Sequence, residues 1–321
     1  MTKTKRILVK QPLMRRVIIA CIPCIISSIY FFGWRSLVVI IVACVSAFLT
    51  EFFFEKKKGE PVSEAVFVSA IIYSLILPPT IAWHVLIIGI VFAILFGKMV
   101  FGGFGHNIFN PAMVGRAFVY ICFPVALTAT WAPPAGGLLG GFSLWSTAVP
   151  DALTSATPMA MLKAGTIPSP SLLDLFLGNI AGSMGVTSVL AILIGGFYLV
   201  ITKTANRWII LTLVLTYAIS NGILAVLGIE PVPGMLVALM GGGFLFGAFF
   251  MATDPISAPR LLPSQIIYAI IIGISTLVIR NFSVFNGGLM FSILLGNMFA
   301  PILDYYFKNR AKKAVVKESI S

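Results

Sequence analysis

Ten apolar runs, most of them near the length at which a helix crosses a bilayer, follow one another through this chain of 321 residues. A helix needs about 20 predominantly apolar residues to span the hydrocarbon core. The runs cover 17–32, 37–54, 64–78, 81–97, 112–129, 180–201, 208–228, 235–252, 264–280 and 288–306. Charged residues make up 10% of the chain and hydrophobic ones 59%, against about 25% charged in a soluble domain. The expected fold is therefore an all-α integral membrane protein of about ten transmembrane helices. Two runs, 64–78 and 235–252, are short or rich in glycine and lead into Pro78-Pro79 and Asp254-Pro255. Interrupted helices are tolerated in a membrane where the freed backbone is enclosed by protein.

A net charge of +12 raises the question of nucleic acid. The basic residues, however, sit at the ends and in short segments between apolar runs, the placement that fixes membrane orientation. With both termini cytoplasmic, the inner segments hold eighteen lysines and arginines and the outer ones three, Arg35, Lys163 and Arg280. This asymmetry places the 130–179 segment outside. The run from Val17 to Phe32 has no small-residue cleavage site and is expected to be the first span, not a removed signal peptide.

The cysteines Cys21, Cys24, Cys44 and Cys122 all lie in apolar runs and define no disulfide framework. Cys21 and Cys24 have a metal-binding spacing, but no second such pair accompanies them, so apolar packing is the better reading.

The chain echoes itself. Phe109-Asn110-Pro111 follows Pro79 at the interval by which Phe285-Asn286-Gly287 follows Pro255, an offset of 176 residues. Five helices per half is an odd number, so the halves must insert in opposite orientation, as inverted repeats with broken helices do in many transport folds. The expected organisation is a basic N-terminus (1–16), a first five-helix repeat (17–129), an outer loop (130–179), a second repeat (180–306) and a basic tail (307–321).

Four stretches carry polar chemistry. The first, Gly102–Phe118, holds His106, Asn107 and Asn110 before Pro111, then Arg116 inside a helix. A helix start of this kind offers backbone donors to an anion, and an intramembrane arginine is a functional candidate or a structural one paired with a carbonyl or acid. The second, Gly241–Arg260, holds four glycines and Asp254, which either caps the following turn or serves a central site. Glu51, Glu55 and Lys56–Lys58 form the third, which reads as a solvated helix end. The fourth is Asp151-Ala152-Leu153-Thr154-Ser155-Ala156-Thr157. No histidine accompanies these hydroxyls, which argues against a nucleophilic catalytic site. An accessible threonine among small neighbours suits modification by another enzyme; a turn or helix cap at Thr157-Pro158 is the plainer alternative.

That last stretch resembles the D-x-x-[ST]-[GS]-[AS]-T motif of proteins whose final threonine carries FMN in phosphoester linkage. Gly102–Phe118 and Phe250–Pro259 resemble, in the same order, the glycine–asparagine loop and the MATDP segment of one membrane family. It contains the D subunit of the Rnf ion-translocating electron transport complex and the B subunit of the sodium-translocating NADH:quinone reductase. The resemblance implies covalent FMN on Thr157, attached by a flavin transferase that reads Asp151, Thr154, Ser155 and Ala156. It also implies a second, non-covalent flavin, riboflavin, among the helices, with Asn107, Asn110, Arg116 and Asp254 as candidates for its site. Trp131 and Trp145 share the loop with Thr157 and could pack its ring. The implied protein is one component of a ferredoxin:NAD oxidoreductase in the bacterial or archaeal cytoplasmic membrane, coupled to Na⁺ or H⁺ movement and not catalytic alone. Iron–sulfur subunits and a second covalent-flavin subunit would be its partners. The short segment before the first span favours the Rnf family member, while Gly115-Arg116-Ala117-Phe118 is closer to the quinone reductase version. A channel or transporter without redox chemistry is the rival of another class.

Overall fold

A computed structural model describes residues 7–128, 131–147, 171–229, 232–283, 285 and 288–318. Asp151, Thr154, Ser155, Ala156 and Thr157 lie outside the described residues, as do Asn286 and Gly287 of the repeat signature.

Every apolar run contains helix. The first half comprises α1 (Pro12–Phe32), α2 (Arg35–Lys58), α3 (Ala65–Leu75), α4 (Trp83–Ile94, continued by a π turn over Leu95–Met99) and α5 (Pro111–Cys122). Short helices α6 (Pro124–Thr128) and α7 (Leu172–Leu177) lie in the connection. The second half comprises α8 (Val189–Ile201), α9 (Arg207–Val226), α10 (Met235–Met240), α11 (Phe244–Phe246, continued by a π turn over Gly247–Met251), α12 (Leu262–Phe282) and α13 (Gly288–Glu318). Five helices are long and apolar enough to cross a membrane by themselves: α1, α2, α9, α12 and residues 288–313 of α13. The other five apolar segments are shorter, at 10–17 residues.

Local chemistry sets the helix ends. Asn110 accepts a hydrogen bond from the Ala112 N–H while Pro111 occupies the first turn of α5, a start that costs no backbone donor. Asn206 caps α9 through the Trp208 and Ile209 N–H groups, and Ser188 caps α8. Gly59 closes α2 in the left-handed region at φ 75°. The fifth helix ends at Cys122, not at 129, because Pro124 disfavours helical backbone at Phe123 and supplies no N–H.

The sixth helix starts at Val189, not at 180. The apolar stretch before it folds as buried coil whose Met184 and Gly185 N–H groups donate to the Leu77 and Leu75 carbonyls. It thereby closes the open end of α3. A side chain at Gly185 would strike Leu75 at 2.4 Å, so glycine is required there.

The halves meet through equivalent helices. The 176-residue offset maps α1 onto α8 and α5 onto α13, and the contacts between halves include α1 on α8 and α5 on α13. Helices that the offset equates thus meet across the boundary between the halves. Within the halves the pattern repeats, α2 on α4 and α4 on α5, then α9 on α12 and α12 on α13. The α1–α8 crossing is close because Gly195 has no side chain; a Cβ there would lie 2.1 Å from the Ala20 carbonyl oxygen. A two-residue parallel pair, β1 (Leu8–Val9) with β2 (Val62–Ser63), ties the N-terminal segment to the turn after α2. One hydrophobic cluster runs through both halves.

Candidate functional site

A pocket partly open to solvent and lined from both sides lies where the two halves meet. The first half supplies Met14 and Val17 of α1, Val68, Ser69 and Ile72 of α3, Lys98, Phe104, Asn107 and Asn110. The second supplies Thr204, Ala205, Phe250 and the break from Thr253 to Ile256. Three of the four candidates for a central site, Asn107, Asn110 and Asp254, thus share one cavity.

A polar network frames it. The Asn110 N–H donates to Asn297 Oδ1 at 3.1 Å, and Asn110 Nδ2 reaches the Met251 carbonyl at 3.5 Å. Asn297 in turn donates to the Ser257 carbonyl and to the Tyr268 hydroxyl, which donates to the Ala252 carbonyl at 3.2 Å. The N-terminus of α5 is thereby fixed to the break of the other half. Asp254 accepts from the Ile256 N–H at 3.3 Å and the Ser257 hydroxyl at 2.9 Å, so it caps its own turn while lining the cavity. Asn107 donates one N–H to the Phe109 carbonyl. Its Oδ1 and second N–H are uncommitted among the described residues. His106, in the same loop, is exposed.

Arg116 lies apart from this cavity. Its Nε is buried without a hydrogen-bond partner among the described residues, and its electrostatic neighbours are Tyr73 and Tyr120. The expected partner is a carboxylate, a carbonyl or a bound flavin, and among the described residues the Nε meets no protein acceptor.

Four charged residues that local pattern assigns to solvent are in the interior. Glu51 is 1% exposed and Glu55 5%, a correction to their reading as a solvated helix end. Lys98, counted with the inner loops, is 2% exposed in the π turn and donates to Glu51 Oε2 at 2.5 Å and Ser63 Oγ at 2.6 Å. Ser63 gives its N–H and hydroxyl to Glu51 Oε1 at 2.9 and 2.8 Å. Arg280, counted outside, is also 2% exposed; it donates to the Tyr217 hydroxyl and to the carbonyls of Ala238, Gly241 and Gly242 at 3.0–3.4 Å. One residue leaves each side of the charge count, and the asymmetry remains. No sequence signal near Lys98 or Arg280 marks these partners, which lie at least 35 residues away.

Of the loop tryptophans, Trp131 is buried with its indole N–H on the Thr128 carbonyl, whereas Trp145 is 58% exposed. The Cys21 and Cys24 thiols are free and buried, and no cluster of three metal-ligating side chains occurs among the described residues.

Comparison with known proteins accounts for nearly the whole chain. The model of the NQR2, RnfD, RnfE family matches residues 5–313. The D subunit of the Na⁺-translocating ferredoxin:NAD⁺ oxidoreductase complex of Acetobacterium woodii is 37% identical over 93% of this chain and 89% of its own. The D subunit of the ion-translocating oxidoreductase complex of Alcanivorax borkumensis is 36% identical over 92% and 91%. The B subunit of the Na⁺-translocating NADH-quinone reductase of Chromohalobacter salexigens is 38% identical over 80% of this chain, which spans 61% of that protein.

Proposed function

Because the chain belongs to the NQR2, RnfD, RnfE family, we propose that it is a D-type membrane subunit of an ion-translocating ferredoxin:NAD⁺ oxidoreductase. The observation that carries this reading is how much of this chain each relative matches: the D subunits match 92–93% of it at 36–37% identity, the quinone reductase relative 80%. The second reading, a B-type subunit of a quinone reductase, draws on an identity that is no lower, 38%, and on Gly115–Phe118. The two readings differ in the complex that the chain joins. In either, it sits in the cytoplasmic membrane with both termini inside and passes electrons while other subunits bind the soluble substrates.

In this reading Thr157 carries FMN by a phosphoester bond, and a riboflavin occupies the cavity between the halves. The cavity's donor set supports such a guest. Met14, Val17, Ile72 and Phe250 give it apolar walls, while Asn107 has both a free acceptor and a free donor for a heterocycle edge. Flavin, when bound, supplies one- and two-electron redox chemistry that no side chain here offers. The protein's part is to hold the ring and exclude water. Asn107 and Asn110 orient its polar edge, and the Asn297–Tyr268 network keeps Asn110 and the 252–258 break from moving apart.

Fluorescence of the denatured protein on a gel, after co-production with a flavin transferase, tests the covalent assignment. The wild type should give a fluorescent band and Thr157→Ala none. Persistence of the band in Thr157→Ala would overturn the assignment, and its loss in Thr154→Ala alone would move the attachment. A chain without bound flavin in its assembled complex would return the field to channels and transporters.

A further inference from the structure

The cavity has one charged wall with a direction built into it. Lys98 lines it, and its ammonium lies 5.8 Å from the centre of the Phe104 ring, which lines it too. Glu51 and Ser63, the groups that hold the ammonium, do not line the cavity. The pair therefore stands as a fixed dipole with its positive end inward. Both side chains are 2% exposed, so water screens this dipole little. Ser63 is locked from both sides, by its own bonds to Glu51 and by the β1–β2 pairing of its strand. Glu51 uses both oxygens on these partners, so rotating the lysine away would strand a buried carboxylate. Asp254, the other ionisable group of the cavity wall, spends its oxygens on Ile256 and Ser257.

We propose that Lys98, oriented by Glu51 and Ser63, is the positioning cation of this cavity and stabilises negative charge gained by the ring bound there. The proposal rests on the reading of the cavity as the non-covalent flavin site. The step it acts on is a one-electron transfer. A reduced one-electron carrier of the complex loses the electron that the ring gains, no bond forms or breaks, and Lys98 keeps its proton. A fixed cation favours the charged product over the neutral reactant without reorganising at the moment of transfer.

The test uses the purified complex, with two readouts: riboflavin released on denaturation, and the midpoint potentials of the bound flavins by spectroelectrochemical titration. Val68→Trp fills the cavity and should expel riboflavin while FMN remains; retained riboflavin would remove the cavity reading and this proposal with it. Given that result, Lys98→Met should keep riboflavin and weaken its one-electron reduction at least tenfold, a fall of about 59 mV, with FMN potentials unchanged. An unchanged riboflavin potential would overturn the proposal and leave the cavity reading intact. Because the single variant strands Glu51, Glu51→Gln/Lys98→Met is made in parallel and should show the same fall. If both lose riboflavin, Lys98→Arg must restore content and potential together; failure of either overturns the role.

Discussion

Each half of this molecule plants one cation near the end of its fourth helix and buries it against its second helix, yet the two cations are satisfied by different chemistry. In the first half Lys98 follows α4 and meets an acidic side chain, Glu51 of α2. In the second half Arg280 ends α12 and meets neutral oxygens, the Tyr217 hydroxyl of α9 and three carbonyls of the 238–242 segment. The difference follows the third helix. In the first half that helix is continuous from Ala65 to Leu75 and needs no donor along its length. In the second it is broken by Gly242 and Gly243 at φ 60° and 69°, and the break frees carbonyls that a guanidinium can collect. Arginine has five donors in a planar fork and suits several acceptors; lysine is a point charge and suits one carboxylate. The fourth helix of each half thus carries a cation at a different position, a charged wall in one half and a staple in the other.

The sharpest way to break this comparison is Glu51→Ala. It leaves Lys98 buried and unpaired, which should cost about 3–5 kcal/mol, whereas Glu51→Leu/Lys98→Met should return most of that loss because the pair vanishes together. Thermal unfolding of the detergent-solubilised complex gives the ranking; a double variant as unstable as the single one would mean that the pair is not an isolated unit. Arg280→Met should cost less, about 2–3 kcal/mol, since it strands neutral acceptors instead of a charge. No second substitution repairs it: adding Tyr217→Phe should leave the carbonyls stranded and stability no higher. Recovery in that double variant would show that Arg280 pairs chiefly with the phenol. The smallest effect belongs to Gly243→Ala, about 1–2 kcal/mol for a side chain in the left-handed region, with Val186 only 3.0 Å from the added carbon. Phe67→Ala at the equivalent position of the first half meets no such backbone penalty, and a backbone-sensitive probe such as amide exchange should report local opening at 241–247 only in the Gly243 variant.

Much of the fold is legible in the sequence because hydropathy reports burial, and in a membrane burial over twenty residues means helix. The same reasoning misplaces the start of α8 by nine residues: residues 180–188 are apolar because they are enclosed, but they serve as coil that closes α3. Asn110 and Pro111 announce the start of α5, and Asp254 announces its cap, since both act on neighbours within three residues. Lys98, Glu51 and Arg280 mislead for the opposite reason. Their partners are 12 to 63 residues away, and a charge beside an apolar run looks the same whether it turns outward or inward. Arg116 reads as interior, yet its separation from the cavity depends on which face of α5 turns toward the other half.

The coil that closes α3 has a bearing on how the chain is made. The carbonyls of Leu75 and Leu77 receive their donors from Gly185 and Met184, more than a hundred residues later in synthesis. When the first five helices have left the ribosome, this helix end lacks the donors that later close it, and lipid would supply none. The first half is therefore finished by the second. Insertion machinery must shelter an open helix end until residue 185 arrives, and a nascent chain stopped after α5 should stay bound to that machinery instead of partitioning into lipid.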